Sequence, residues 1–127
     1  MPIERAVFAK SVADSLLSFS QMAYPKEGIL LLRGKVKKGI AEVSGVVIPP
    51  AAVHGESMSS FSWWMLPIDL TFLGVAHSHP SGNVNPSQED LLHISGRIMV
   101  IVGYPFVDSR FIAVYNSKGE KIPMEVK

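Results

Sequence analysis

His77 and His79 close an apolar run that begins at Thr71, and Ser87 and Asp90 follow where a loop gives way to the start of a helix. A β-strand rises ~3.3 Å per residue and puts residues i and i+2 on one face, so the two imidazoles point the same way, about 7 Å apart at the backbone. They can converge on one ion. Thr71, Leu73 and Val75 share their face, while Phe72, Gly74, Ala76 and Ser78 occupy the other. Both faces are largely apolar, the pattern of a central strand covered on both sides. Pro80 and Gly82 break the strand, and with Ser87 as N-cap, Asp90 falls at N3 and Leu91, Leu92 and Ile94 form an apolar helix face. The Asp90 carboxylate then points back towards the histidines. Two neutral imidazoles, one carboxylate and an open fourth position make a catalytic zinc set, whereas structural zinc fills all four positions with Cys-rich protein ligands. The chain has no Cys. Plainer readings exist for each part, since a strand-end His is commonly a polar terminus and Ser-x-x-Asp a capping box. No structural need calls for the combination.

His77-Ser78-His79-Pro80, the seven residues between His79 and Ser87, and the two between Ser87 and Asp90 resemble the JAMM signature of the MPN+ metalloproteases, in the manner of a compact prokaryotic-type member. That family has a further Glu far upstream, and Glu27, before the apolar run Ile29 to Leu32, is placed like it. The resemblance implies one Zn²⁺ held by His77, His79 and Asp90, which would lower the pKa of a water from ~15.7 towards ~7. It further implies Glu27 as general base and then acid, and Ser87 as a hydrogen-bond donor to the developing oxyanion. The substrates so implied are isopeptide conjugates at the C-terminus of ubiquitin or ubiquitin-like proteins, or a sulfur-carrier protein with the same kind of tail. Such a tail would lie along a sheet edge as an added strand. The alternative is a non-catalytic MPN scaffold or interaction module with a structural metal.

At 127 residues, 47% hydrophobic and 18% charged, the chain fits one domain spanning residues 1–127. A net charge of +1 gives no field for nucleic acid, and Lys35, Lys37 and Lys38 read as a solvated hairpin tip. No leader, membrane span or repeat is evident, so the expected location is cytoplasmic, with no membrane partner. His-x-His also opens metal-dependent hydrolase barrels, but those need ~250 residues. Zinc deaminases use His-x-Glu with Cys ligands.

Residues 2–9 read as a short strand or lead-in. From Ser11 to Ala23, Val12, Leu16, Phe19 and Met22 or Ala23 recur at helical spacing, and Tyr24-Pro25 stops the helix. Ile29 to Arg33 and Ile40 to Ile48 are expected strands joined by a hairpin loop from Gly34 to Gly39, with Pro49-Pro50 ending the second. Ser57 to Met65 alternates like a strand, and an exposed Phe61, Trp63 or Trp64 would suit docking to a ubiquitin-like protein. Pro67 to Leu70 leaves no room for the helix that family members usually place before the His-x-His strand. Ile98 to Val102 and Phe111 to Tyr115 are further strands, Tyr104-Pro105 and Asn116 to Gly119 are turns, and Pro123 restricts the tail to an edge strand or coil. His54 reads as a loop residue, His93 as an exposed helix position, and the Met residues as core filler. The order of elements predicts an α/β domain with one curved mixed sheet flanked by helices. The family resemblance implies an MPN fold, cytidine deaminase-like in architecture.

Overall fold

A computed structural model describes residues 2–49, 71–92 and 96–127. The chain opens with strand β1 (Arg5–Phe8), in which Ala6 and Phe8 face inward and Arg5 outward. Helix α1 (Lys10–Ala23) follows and buries Val12, Ala13, Leu16 and Ser20. Ser20 is tolerated there because its hydroxyl donates to the Leu16 carbonyl at 2.7 Å. The half-buried Ala23 rather than Met22 continues the apolar stripe, since Met22 is 81% exposed and so is not core filler. At 100° per residue, position 23 lies over position 12 whereas position 22 swings away. The helix stops at Tyr24, held extended (ψ 135°) ahead of Pro25.

β2 (Ile29–Lys37) and β3 (Ile40–Val47) form a longer hairpin than the sequence predicts. The expected loop from Gly34 to Gly39 shrinks to Lys38 and Gly39, whose positive φ values of 53° and 79° suit a two-residue hairpin turn. Gly34 is no breaker. It sits at a register shift where a Cβ would fall 1.8 Å from the Glu42 carbonyl oxygen, so glycine allows a close backbone approach inside the strand.

β4 (Phe72–His79) pairs antiparallel with β2 and parallel with β5 (Ile98–Gly103). Its inner and outer faces do not alternate throughout. Leu32 pairs with Gly74 and Arg33 with Phe72, so Leu73 is an extra residue. This bulge sends Leu73 into the main core with Ala76, while Phe72 joins Val75, Ile29 and Leu31 on the opposite face. The expected grouping of Leu73 with Val75 therefore fails, although His77 and His79 still share a face beyond the irregularity. After the short helix α2 (Gln88–Leu92) and β5, a 3₁₀ turn (Ser109–Phe111) takes up Phe111, and β6 begins one residue later than predicted (Ile112–Asn116). Asp108 sets that start by accepting the Arg110 amide at 2.9 Å.

The sheet runs β7-β6-β5-β4-β2-β3-β1-β8, where β7 is Lys121–Ile122 and β8 is Met124–Val126. The two edge strands are separated in sequence by Pro123 alone, so the sheet must curl until its ends approach each other in a nearly barrel-like form. Helix α1 packs its apolar stripe into the main core with Leu30, Leu32, Ala76 and Val100. The single curved mixed sheet is the expected α/β architecture. The expected strand at 57–65, the indole and phenyl groups within it, His54, the segment 67–70 and His93 lie outside the described residues. Among the described residues, no helix is long and apolar enough to cross a membrane.

Candidate metal centre

β4 lies in the middle of the sheet, and its pairing to Ile29 of β2 and Ile101 of β5 fixes His77 with its side chain fully enclosed. His79 ends the strand with its side chain 12% exposed, so the centre opens on that side. The chain turns at once, with the His79 carbonyl accepting amides from Gly82 (3.1 Å) and Tyr104 (3.2 Å). It returns through Ser87 into α2. There Ser87 Oγ accepts the Asp90 amide at 3.0 Å and Asp90 Oδ2 accepts the Ser87 amide at 2.8 Å, a reciprocal capping box in which Asp takes the usual Glu position. The cap therefore aims Asp90 as well as starting the helix. Leu91, expected on an apolar face, is 46% exposed, because this helix is positioned by its cap and its carboxylate.

The three side chains meet at their tips. His77 Nε2 lies 3.1 Å from His79 Nε2 and 3.1 Å from Asp90 Oδ1, and His79 Nε2 lies 3.0 Å from Asp90 Oδ2. With zinc–ligand bonds of about 2.0–2.1 Å, the edge of a tetrahedral site is about 3.3 Å, close to these separations. Tautomers agree with that use. His79 Nδ1 lies 2.5 Å from the Asn83 carbonyl oxygen, which can only accept, so Nδ1 carries a proton and Nε2 is the atom left for a ligand bond. The same arrangement without metal requires a second proton on Nε2 to satisfy Asp90. Burial alone would lower the His79 pKa, yet the bonds to Asp90 and the Asn83 carbonyl raise it above its ordinary value. A proton on Nε2 would stand where a cation binds. His77 Nδ1 is buried and has no hydrogen-bond partner among the described residues, so the ring is oriented by packing and by its Nε2 contacts with His79 and Asp90.

Glu27 and Ser87 line one open cleft of about 600 Å³ together with His79 and Asp90. The half-buried Glu27 is close enough for its charge to help raise the His79 pKa. Its placement has a cause absent from the sequence reading. Ser78 points away from the histidine face, its Oγ accepting the Gly28 amide at 2.7 Å, while the Gly28 carbonyl accepts the Ser78 amide at 3.0 Å. The middle residue of His-Ser-His thereby fixes the segment that carries Glu27. Alternation alone puts Ser78 on the face opposite the histidines, but nothing in the sequence marks Asn83, whose contribution is a backbone carbonyl that any residue has. Of the five predicted site residues, Glu27, His79, Ser87 and Asp90 line this cleft, and the enclosed His77 joins His79 and Asp90 behind it.

A curved mixed sheet with a His-x-His pair at the end of a central strand and an Asp from the next helix defines an MPN-fold domain with a metalloprotease-like centre. A family model of prokaryotic homologs of the JAB domain matches residues 9–115. The chain belongs to this family. It is similar to a probable metalloprotease of Haloferax volcanii, at 30% identity over 125 residues covering 93% of this chain and 77% of that protein. Among solved structures, a JAB1/MPN domain protein from Archaeoglobus fulgidus superposes with a TM-score of 0.71 at 30% identity, over 94% of this chain and 96% of the other. A structure described as a JAMM metalloprotease-like zinc site in the proteasome and signalosome matches over 100% of this chain and 99% of that one, with a TM-score of 0.70 and 26% identity.

Proposed function

We infer that this protein is a zinc-dependent peptidase that hydrolyses the amide or isopeptide bond at the C-terminus of ubiquitin-like or sulfur-carrier proteins. The observation that carries the reading is the convergence of His77, His79 and Asp90 at tetrahedral spacing beside a cleft lined by Glu27 and Ser87. His77 and His79 would bind zinc through Nε2 and Asp90 through a carboxylate oxygen. Zinc bound there supplies Lewis-acid polarisation of the scissile carbonyl and acidifies a water. Glu27 takes a proton from that water at its carboxylate and passes it to the leaving amine. Ser87 Oγ already accepts the Asp90 amide, which leaves its O–H to donate to the carbonyl oxygen as negative charge develops there. The cleft is open, as a site that must admit a chain segment requires.

The test is cleavage of isopeptide-linked ubiquitin-like conjugates by the wild type, the wild type with chelator and then with zinc restored, and Glu27→Ala. Cleavage should stop with chelator and return with zinc. The Glu27 variant should stay folded and zinc-loaded while losing roughly 10²- to 10⁴-fold in rate. Folded, zinc-loaded wild type that leaves such conjugates intact would instead favour an assembly module stiffened by its metal.

A further inference from the structure

Between the ligand-bearing ends of β4 and α2 runs the loop from Pro80 to Pro86, and three contacts hold it down. Val84 packs its side chain against Met99, Ile101, Ala113 and Tyr115 on the sheet face opposite the main core. Gly103 leaves room for it, since a Cβ there would come within 2.7 Å of Val84 Cγ1. The Tyr115 hydroxyl donates to the Val84 carbonyl at 2.6 Å. One residue earlier, the Asn83 carbonyl accepts His79 Nδ1–H at 2.5 Å. Asn83 is braced locally as well, its Oδ1 accepting the Asn85 amide at 3.0 Å.

We propose that Tyr115, on the second strand away from the histidines, is a positioning residue for the metal centre: by anchoring Val84 it holds the Asn83 carbonyl against His79 Nδ1, fixing the tautomer and ring orientation that present Nε2 to the ion. This rests on the metal reading above and extends it to a side chain that touches no ligand. The tyrosine is suited to the task because it is 3% exposed and packed on all sides, so its hydroxyl has one well-defined position. Burial also raises its pKa, which keeps the donor proton in place across the neutral range. Val84 supplies the apolar half of the anchor and Tyr115 the polar half. Partners that orient a ligating imidazole through its second nitrogen typically contribute 10- to 100-fold in metal affinity.

The experiment is zinc affinity by competition with a chromogenic chelator, together with the visible absorption spectrum of the Co²⁺-loaded protein, for wild type, Tyr115→Phe and Val84→Gly. Tyr115→Phe keeps the packed ring and removes the donor. It should lose several-fold to about 100-fold in zinc affinity and shift the Co²⁺ bands, with circular dichroism unchanged. A residue that served the fold alone would lower the melting temperature of the metal-free protein and leave affinity and spectrum as they were; that result overturns the proposal. Val84→Gly keeps the carbonyl that the Tyr115 hydroxyl holds and removes only the apolar half of the anchor, so it should lose less zinc affinity than Tyr115→Phe; a loss in Val84→Gly with none in Tyr115→Phe overturns the proposal by assigning the loop to packing alone. If the wild type itself binds no zinc, the metal reading falls and takes this inference with it. Tight binding by wild type and variants alike removes only the role of Tyr115.

Discussion

Burial by itself would raise the Asp90 pKa, but hydrogen bonds from His77 and His79, with the Ser87 amide, hold it well below the ordinary carboxylate range. His79 moves the other way, because its bonds to Asp90 and Asn83 outweigh its own burial. The two shifts set opposite limits on the metal-free protein. A depressed carboxyl contributes stability that is present above its unfolded value near 3.9 and lost as pH falls, whereas a raised imidazole contributes stability that is complete below about 6.5 and lost as pH rises through its folded value. The metal-free form should therefore melt highest between roughly pH 4 and 6.5 as far as this pair is concerned. Zinc competes for the atom that the proton occupies, so its stabilising effect should grow as pH rises from about 5.5 to about 8. Thermal melts with chelator and with zinc at those two values check both signs. A zinc-induced shift that is larger at the lower value would contradict the proton-for-metal exchange. At this scale the sequence was informative about which side chains meet, since spacing on a strand and at a cap dictates direction. It was silent on what holds them, because the Asn83 carbonyl and the Tyr115 hydroxyl reach the site through the fold, 31 residues apart along the chain for the Tyr115–Val84 bond.

Glycine shows why element boundaries were harder to read than elements. Gly34 and Gly39 look alike in the sequence as hairpin-loop ends, yet only Gly39 has positive φ, and Gly34 lies within a strand that runs on to Lys37. What requires glycine at position 34 is the Glu42 carbonyl across the hairpin, and a facing strand is invisible to local pattern. The same register shift that needs Gly34 has a counterpart on the other side of β2, where Leu73 is the extra residue of β4. Two irregularities around Arg33, in the middle of β2, leave the end where Ile29 pairs with His77 in regular register. Gly34→Ala should therefore act on stability more than on chemistry. Its Cβ would meet backbone 1.8 Å away, which the hairpin relieves only by moving, and overpacking of this kind typically costs about 1–3 kcal/mol. Chemical denaturation should show that loss, while zinc affinity of the folded variant stays within about threefold of wild type, a difference worth only ~0.6 kcal/mol. Wild-type stability would mean the bulge can open without cost.

Across the whole molecule, stability and site are carried by different parts of one sheet. The ends of the described chain are sewn together, β8 lying parallel to β1, with Lys127 donating its amide to the Phe8 carbonyl and accepting the Lys10 amide, both at 2.9 Å. Two strands, β2 and β3, separate the histidine strand β4 from this seam. Pro123 was read correctly as a mark of edge structure, but that β7 and β8 are opposite edges follows from sheet curvature, a property of the closed object that no stretch of sequence expresses. Pairing of distant segments makes folding slow, because loop closure must precede the contacts that reward it. The seam also lets the two contributions be separated by substitution. Val126 packs against the main core from β8, so Val126→Asp would press a charge against apolar neighbours and loosen the edge. The loss should be about 1–3 kcal/mol in denaturant melts, typical for a partly buried apolar position. Below its melting point the variant should bind zinc as the wild type does, since β8 pairs with β1 and lies at the far edge of the sheet order from β4. Weakened zinc binding by fully folded Val126→Asp protein would show instead that the curl of the sheet is transmitted to the metal centre, and that the two ends of the strand order are mechanically one.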